Sequence, residues 1–186
     1  MKNNGKIYIM KYTAPPAFSD LFAESTDGVH LTSLVFEGST DCEKLISGAD
    51  LTDKNSNLPV FNDVRRWLDI YFGGGIPDFT PNYKIGNLTD FSARVTLAMN
   101  EIPYGETVTY GEIARKIACE KGLERMSAQA VGGAVGRNPI CIIVPCHRVV
   151  GAGGKIVGYG GGIENKKALL ALEADVLGKS GVIHKT

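Results

Sequence analysis

The sequence predicts an α/β + α chain in two parts, a small mixed α/β domain over residues 1–88 and a helix-rich domain over residues 89–178. Three observations predict it. Short β-rich runs and one amphipathic helix fill the first half, a Gly- and Pro-rich linker lies at about residues 80–90, and two helix-start signals follow closely in the second half. With 186 residues, 44% hydrophobic and 22% charged, the chain has ordinary globular composition, which excludes wholesale disorder and collagen-like repeats.

In the first half, Ile7–Met10 and Leu31–Phe36 read as strands, with Thr26-Asp27-Gly28 as a hairpin turn between flanking segments. Val64, Trp67, Leu68 and Tyr71 recur at i, i+3, i+4 and i+7, the pattern of an amphipathic helix, and Gly73-Gly74-Gly75 stops it. In the second half, Phe91, Val95, Met99 and Ile102 share a helical face that ends at Pro103-Tyr104-Gly105. Thr109-Tyr110-Gly111-Glu112 then forms a capping box ahead of Ile113, Ala114, Ile117 and Ala118. Ser127 caps a further helix through Ala128 and Val135. Helix, turn and short second helix resemble a helix-turn-helix DNA-reading unit, although most such helix pairs bind nothing. Gly132-Gly133 costs the second helix about 1 kcal/mol per glycine against alanine. Close packing against another helix and close approach of a ligand or nucleic-acid backbone account for it equally well.

Twenty basic and twenty acidic residues balance, which speaks against nonspecific electrostatic coating of DNA. The distribution is uneven: residues 1–88 hold 8 Lys and Arg against 11 Asp and Glu, a net of −3, and residues 89–178 hold 10 against 9, a net of +1. From Arg125 to Ile163 there are Arg125, Arg137, Arg148 and Lys155 and no acidic residue, so an anionic partner is expected there. No apolar run reaches the ~18 residues of a membrane span, and the N-terminus lacks a signal-peptide pattern. A cytoplasmic protein with no membrane partner is expected, with a disordered tail at 179–186. Cys42, Cys119, Cys141 and Cys146 show no CxxC pair, so thiols are expected rather than disulfides.

The apolar run Ile140-Cys141-Ile142-Ile143-Val144 predicts a fully buried strand ended by Pro145. Cys141 within it reads as a small buried hydrophobe. Cys146 stands at the strand end beside basic His147 and Arg148, in the acid-free stretch, where cationic neighbours lower a thiol pKa from ~8.5. That makes it a nucleophile candidate. Zinc is rejected, because Cys141, Cys146 and His147 are poorly placed around one tetrahedral ion and no second Cys/His cluster completes a site. His30 and His184 read as isolated surface residues.

The run Pro145-Cys146-His147-Arg148-Val149 resembles the signature of the O6-methylguanine-DNA methyltransferases, the methylated-DNA–protein-cysteine methyltransferases. The similarity extends through Ile102–Gly111, Ala130–Ala134, Asn138-Pro139, Gly158-Tyr159, Gly161-Gly162, Lys166 and Leu169–Glu173, covering residues 89–175. The first half matches more loosely, through Leu34–Glu37 and the helix around Trp67 and Tyr71. The resemblance implies an RNase H-like N-terminal domain and a winged helix-turn-helix-like C-terminal domain carrying the active-site cysteine. It implies a monomer that repairs O6-alkylguanine in double-stranded DNA by irreversible, single-turnover transfer of the alkyl group to Cys146, with no cofactor.

In the roles the resemblance implies, Cys146 is the acceptor, His147 its base through a bound water, and Glu173 the group that orients His147, as an activated thiol requires. Asn138 caps a turn between helix and active-site strand. The target base has to be flipped out of the stack, here through the minor groove. Tyr110 meets the flipped guanine or its 3′ phosphate, and the helix opened by Ser127 enters the groove. Arg148 is a DNA- or substrate-binding group, and Tyr159, Gly160 and Gly161 line the guanine pocket. Gln129 stands where the family most often has the arginine that fills the vacated stack. Three rival readings are a non-catalytic damage sensor, in whose relatives a tryptophan replaces the cysteine; a Cys-His hydrolase, which needs an oxyanion hole; and a DNA-binding regulator with an incidental cysteine.

Overall fold

A computed structural model describes residues 7–47 and 57–178; the tail expected to be disordered, with His184, lies outside the described residues. The chain divides between Gly86 and Asn87 into two compact units.

The first unit is an antiparallel meander of β1 (Tyr8–Tyr12), β2 (Leu21–Ser25) and β3 (Ser33–Phe36) with helices α1 (Thr40–Ser47) and α2 (Pro59–Phe72). Register places Leu21 opposite Phe36 and Phe22 opposite Val35. The period-2 alternation therefore sorts the sheet into two faces. Phe22 and Val35, with Ile9, pack on Cys42, Leu45 and Ile46 of α1. On the other face Leu21, Ala23, Leu34 and Phe36 are completely buried. Tyr12 belongs to that face; its hydroxyl donates to Asp69 at 2.9 Å and its ring stacks on Phe72, which ties α2 to this side. The α2 inner row of Phe61, Val64, Leu68 and Tyr71 is fully buried. Pro59 at the first helical position starts α2 ahead of the first apolar residue of the sequence pattern, as the pre-set φ of proline favours. The turn expected at Thr26-Asp27-Gly28 joins β2 to β3, with Asp27 accepting from the Val29 and His30 amides at 2.8 Å each. β2 and α1 were not expected: burial on both faces hides the alternation of β2, and α1 buries Cys42 alone.

In the second unit α3 (Asp90–Asn100), α4 (Tyr110–Glu120) and α5 (Ala128–Gly136) pack on one another. Their starts are set by side chains. Thr89 caps α3, Thr109 and Glu112 form a complete capping box on α4, and Ser127 accepts from the Ala130 amide on α5; each such cap is worth about 1 kcal/mol. β4 (Val108–Thr109) pairs in parallel with β5 (Val149–Val150). This short ladder sets the first residue of α4, Tyr110, near the segment that carries Cys146. The last helix, α6 (Ile163–Val176), lies against residues 146–148.

The segment 140–144 is not the expected strand. Ile143 donates to the Cys141 carbonyl at 2.8 Å around Ile142, whose φ is +68°. Cys146 then donates to the Val144 carbonyl at 2.7 Å around Pro145, at φ −80° and ψ 58°. These are two successive three-residue turns. Positive φ at a β-branched residue is strained and persists only where its surroundings over-determine it. Here they do: Asn138 Nδ2 donates to the Ile140 and Val144 carbonyls at 3.0 and 3.1 Å, and its Oδ1 accepts from the Ile140 amide at 3.2 Å.

Candidate active site

Cys146 opens a short 3-10 turn, Cys146–Arg148, with all three side chains buried. The turn sends consecutive side chains to different sides, and this divides the site in two.

On one side the Cys146 sulfur looks into a cavity of about 170 Å³ lined by Tyr110, Gly132, Val135, Gly136, Asn138, Cys141, Gly158, Tyr159 and Gly160. Asn138 Nδ2 donates to Sγ at 3.0 Å, so one amide both holds the double turn and touches the sulfur. The Cys146 pKa falls to about 7 because Cys141 hydrogen-bonds the sulfur, Asn138 and Tyr159 do likewise, and the Lys166 charge is close; burial opposes them. Lys166 is fully buried. Its ammonium donates to the Val149 carbonyl at 2.6 Å and stands 5.9 and 5.8 Å from the ring centres of Tyr110 and Tyr159. Burial and the Cys146 charge push the Tyr110 phenol up. Tyr159 is pushed up further, by burial and by the charges of Cys141 and Cys146. Both phenols therefore stay protonated and can donate.

On the other side is a buried ionic cluster. Glu173 Oε1 meets His147 Nε2 at 2.8 Å, and Arg148 spans both carboxylate oxygens through Nε and Nη2 at 2.9–3.2 Å. Arg148 Nη1 donates to the Ile102 carbonyl at 2.8 Å, and the guanidinium lies 5.4 Å from the Tyr104 ring centre. The Gly105 amide donates to Glu173 Oε2 at 2.9 Å. Gly105 adopts φ +70°, and a Cβ there would strike Leu177, so this tight approach to α6 requires glycine. Burial would raise Glu173, but the bonds and charges of His147 and Arg148 outweigh it and hold the carboxylate well below its usual range. Burial pushes His147 below the ordinary imidazole range despite Glu173. A neutral ring whose Nε2–H donates to Glu173 leaves Nδ1 as the basic nitrogen.

Of the residues singled out in the sequence, Tyr110, Asn138, Cys146, Tyr159 and Gly160 meet at the cavity, while His147 and Glu173 stand behind it. Gly161 sits one step back, its carbonyl accepting from Asn165 Nδ2 at 2.7 Å. Ser127 and Gln129 are exposed at the start of α5, away from the cavity lining. The expectation that Arg148 binds DNA or substrate is corrected: its charge is spent on Glu173 and the Ile102 carbonyl, because only a carboxylate partner makes such burial tolerable. The cause assigned to the low thiol pKa is corrected with it, since Cys141 and Asn138 rather than the adjacent basic residues act on the sulfur. Cys141 and Lys166 were missed as site residues. Lys166 had a signal, because Lys166, Leu169, Leu170 and Glu173 occupy i, i+3, i+4 and i+7 of α6, putting two charges on its buried row. Helix packing does not demand glycine at 132 or 133, since a Cβ at Gly132 makes an ordinary 3.8 Å contact with Tyr110 and one at Gly133 meets the Arg137 guanidinium at 3.5 Å. Among the described residues no cluster of three or more His, Cys, Asp or Glu could hold a metal ion, and no helix is long and apolar enough to cross a membrane.

A mixed α/β chain with a buried, partly ionised thiol, backed by a His–Glu pair, defines a protein built for nucleophilic cysteine chemistry. A family model described as the DNA-binding domain of 6-O-methylguanine DNA methyltransferase matches residues 90–175. The methylated-DNA–protein-cysteine methyltransferase of Mycobacterium bovis is 53% identical over 106 residues, which span 57% of this chain and 61% of that protein. Its counterpart in Mycolicibacterium paratuberculosis is 49% identical over 122 residues, 66% of this chain and 70% of that protein. The Mycobacterium tuberculosis OGT structure in complex with DNA superposes with a TM-score of 0.72 at 38% identity, covering 90% of this chain and 93% of that one. The chain belongs to the methylated-DNA–protein-cysteine methyltransferase family.

Proposed function

We propose that this chain repairs O6-alkylguanine in double-stranded DNA by one irreversible transfer of the alkyl group to Cys146. The observation that carries the reading is the sulfur itself: a thiol brought to about pKa 7, held by Asn138 and aimed into a small cavity between two protonated tyrosines. The thiolate attacks the alkyl carbon, the carbon–O6 bond breaks, and the guanine leaves as an anion that takes up a proton. The thioether formed is a very poor leaving group, so each chain acts once. His147, with Glu173 orienting its ring, takes the thiol proton through a water at Nδ1.

Residues 1–86 act as an RNase H-like supporting domain, and residues 87–178 as a winged helix-turn-helix-like domain that binds DNA and accepts the alkyl group. α5 enters the minor groove, its exposed glycines admitting the backbone, and Gln129 fills the stack left by the flipped base. Ser127 holds the end of that helix in shape. Tyr110 donates to the extruded guanine, and the backbone around Tyr159, Gly160 and Gly161 reads its edge. The acid-free stretch keeps this surface attractive to phosphate. The protein acts as a monomer in the cytoplasm, where thiols stay reduced.

Peptide mass spectrometry after incubation with an O6-methylguanine duplex tests the reading. One methyl group per chain on Cys146, with guanine restored, is the expected result, and Cys146→Ala should bind the duplex without accepting anything. A duplex that is bound but leaves no adduct on the native chain would overturn the assignment in favour of a sensor or regulator.

A further inference from the structure

Cys141 forms no bond to the alkyl group in the transfer just described, yet it lines the same cavity as Cys146, and the two are 5% and 4% exposed. Residues five apart on a strand point to opposite faces. The double turn at Ile142 and Pro145 cancels that separation and folds both sulfurs toward one space. Cys141 is the group that lowers the Cys146 pKa most, and Tyr159 lines the same cavity beside both.

We propose that Cys141 is a resolving thiol, which captures Cys146 as a reversible Cys141–Cys146 disulfide when a small hydroperoxide oxidises it. The Cys146 thiolate attacks one peroxide oxygen; an S–O bond forms, the O–O bond breaks, and hydroxide or alkoxide leaves. Cys141 then attacks the sulfenic sulfur; the S–S bond forms, the S–O bond breaks, and hydroxide departs with the proton of Cys141 as water. The two sulfurs lose one electron each, and the peroxide gains both.

The chemistry follows from the arrangement. A low-pKa thiolate is the sulfur that peroxide oxidises first, and without a neighbouring thiol its sulfenic acid goes on to sulfinic acid irreversibly. Two sulfurs on the wall of one small cavity are close partners for an S–S bond, which forms at ~2 Å. A disulfide is returned to two thiols by exchange with a reducing thiol, whereas a sulfinic acid is not. For a protein that spends its cysteine once, oxidation otherwise destroys an unused acceptor.

Both cysteines fall in the tryptic peptide 138–148, bounded by Arg137 and Arg148. Full-length protein treated with several equivalents of hydrogen peroxide should yield that peptide lighter by two hydrogen atoms. Methyl transfer should be lost in proportion and recovered with dithiothreitol. In Cys141→Ser the same treatment should add two or three oxygen atoms at Cys146, with no recovery on reduction. Oxygen added at Cys146 of the native chain while Cys141 stays a thiol would overturn the proposal, as would equal irreversible loss in both proteins. Should Cys141→Ser not fold, the native peptide mass decides by itself. That mass does not depend on alkyl transfer, so it separates failure of this proposal from failure of the repair function.

Discussion

Among the described residues of the N-terminal unit, Ser25 is the one buried polar side chain, and the rest of that interior is Leu21, Leu34, Phe36, Phe61, Leu68, Tyr71 and their apolar neighbours. The C-terminal unit buries His147, Arg148, Asn165, Lys166 and Glu173 together. Apolar burial stabilises wherever shapes match, at about 25 cal/mol per Å². Buried charge costs several kcal/mol per ion before partners offset it. The first unit therefore reads as scaffold. In the second, the places where burial is unfavourable mark the chemistry, and the ionic cluster is what fixes the turn that presents Cys146.

Removing one partner from that cluster is the most severe way to break the contrast. Glu173→Ala leaves Arg148 and His147 buried without their carboxylate and should cost about 3–5 kcal/mol, measured by urea unfolding. Methyl transfer should slow as well. Glu173→Gln keeps an acceptor for Gly105 and Arg148 and should cost less stability. It should still slow transfer, because the charge behind His147 is gone. A transfer rate unchanged in Glu173→Gln would remove Glu173 from the reaction and leave it a structural anchor.

Phe61→Ala in the scaffold should cost a comparable ~3–5 kcal/mol by opening a cavity. It differs in what it leaves alone: the pH at which Cys146 titrates should not move, whereas removing the Lys166 charge beside the sulfur should raise it. Thiolate absorbance followed against pH makes the comparison.

The helices of the C-terminal unit were legible because their signals are local. Thr109 with Glu112, and Ser127, announce their caps within four residues, as Gly73-Gly74-Gly75 announces the stop of α2 in the N-terminal unit. The segment 140–144 was not legible, since a continuous apolar run is the same for a buried strand and a buried turn. What decides between them is Asn138, whose side chain bonds the carbonyls on both sides of the turn. Cys146 stood out through its motif, but adjacency in sequence misassigned what activates it. His147 and Arg148 follow Cys146 in the chain, yet neither is among the groups that lower its pKa. The groups that act on the sulfur are Cys141 and Asn138, brought to it by the double turn, and Tyr159 and Lys166, from positions no local pattern joins to it. Glu173 was legible through family resemblance alone.

A smaller effect is the pH profile itself. With Cys146 at about pKa 7, the transfer rate should rise through neutral pH and level off above it, as the thiolate fraction does. The folded-state value lies below the ~8.5 of an unfolded thiol. Ionisation therefore adds stability that is fully present above ~8.5 and is lost as pH falls through about 7. Asn138→Ala removes a donor to the sulfur and should shift the rate profile upward. A profile that stays in place would assign Asn138 to the backbone of the turn alone.

The smallest effect belongs to the scaffold surface. Lys11 bridges Asp20 at 3.0 Å and Glu37 at 3.2 Å, with side chains from 23% to 49% exposed. These pairs raise the Lys11 pKa and lower that of Asp20, yet they lie in water, where ordering two side chains offsets most of the attraction and salt screens the remainder. Lys11→Ala should leave the unfolding midpoint and the transfer rate unchanged at physiological ionic strength. The contrast with Glu173 is then one of surroundings rather than of charge. The same type of ion pair governs the molecule when it is buried beneath the reacting sulfur and contributes nothing measurable when it faces solvent. A large loss of stability in Lys11→Ala would mean that the scaffold too depends on its charges, and the division between the two units would fail.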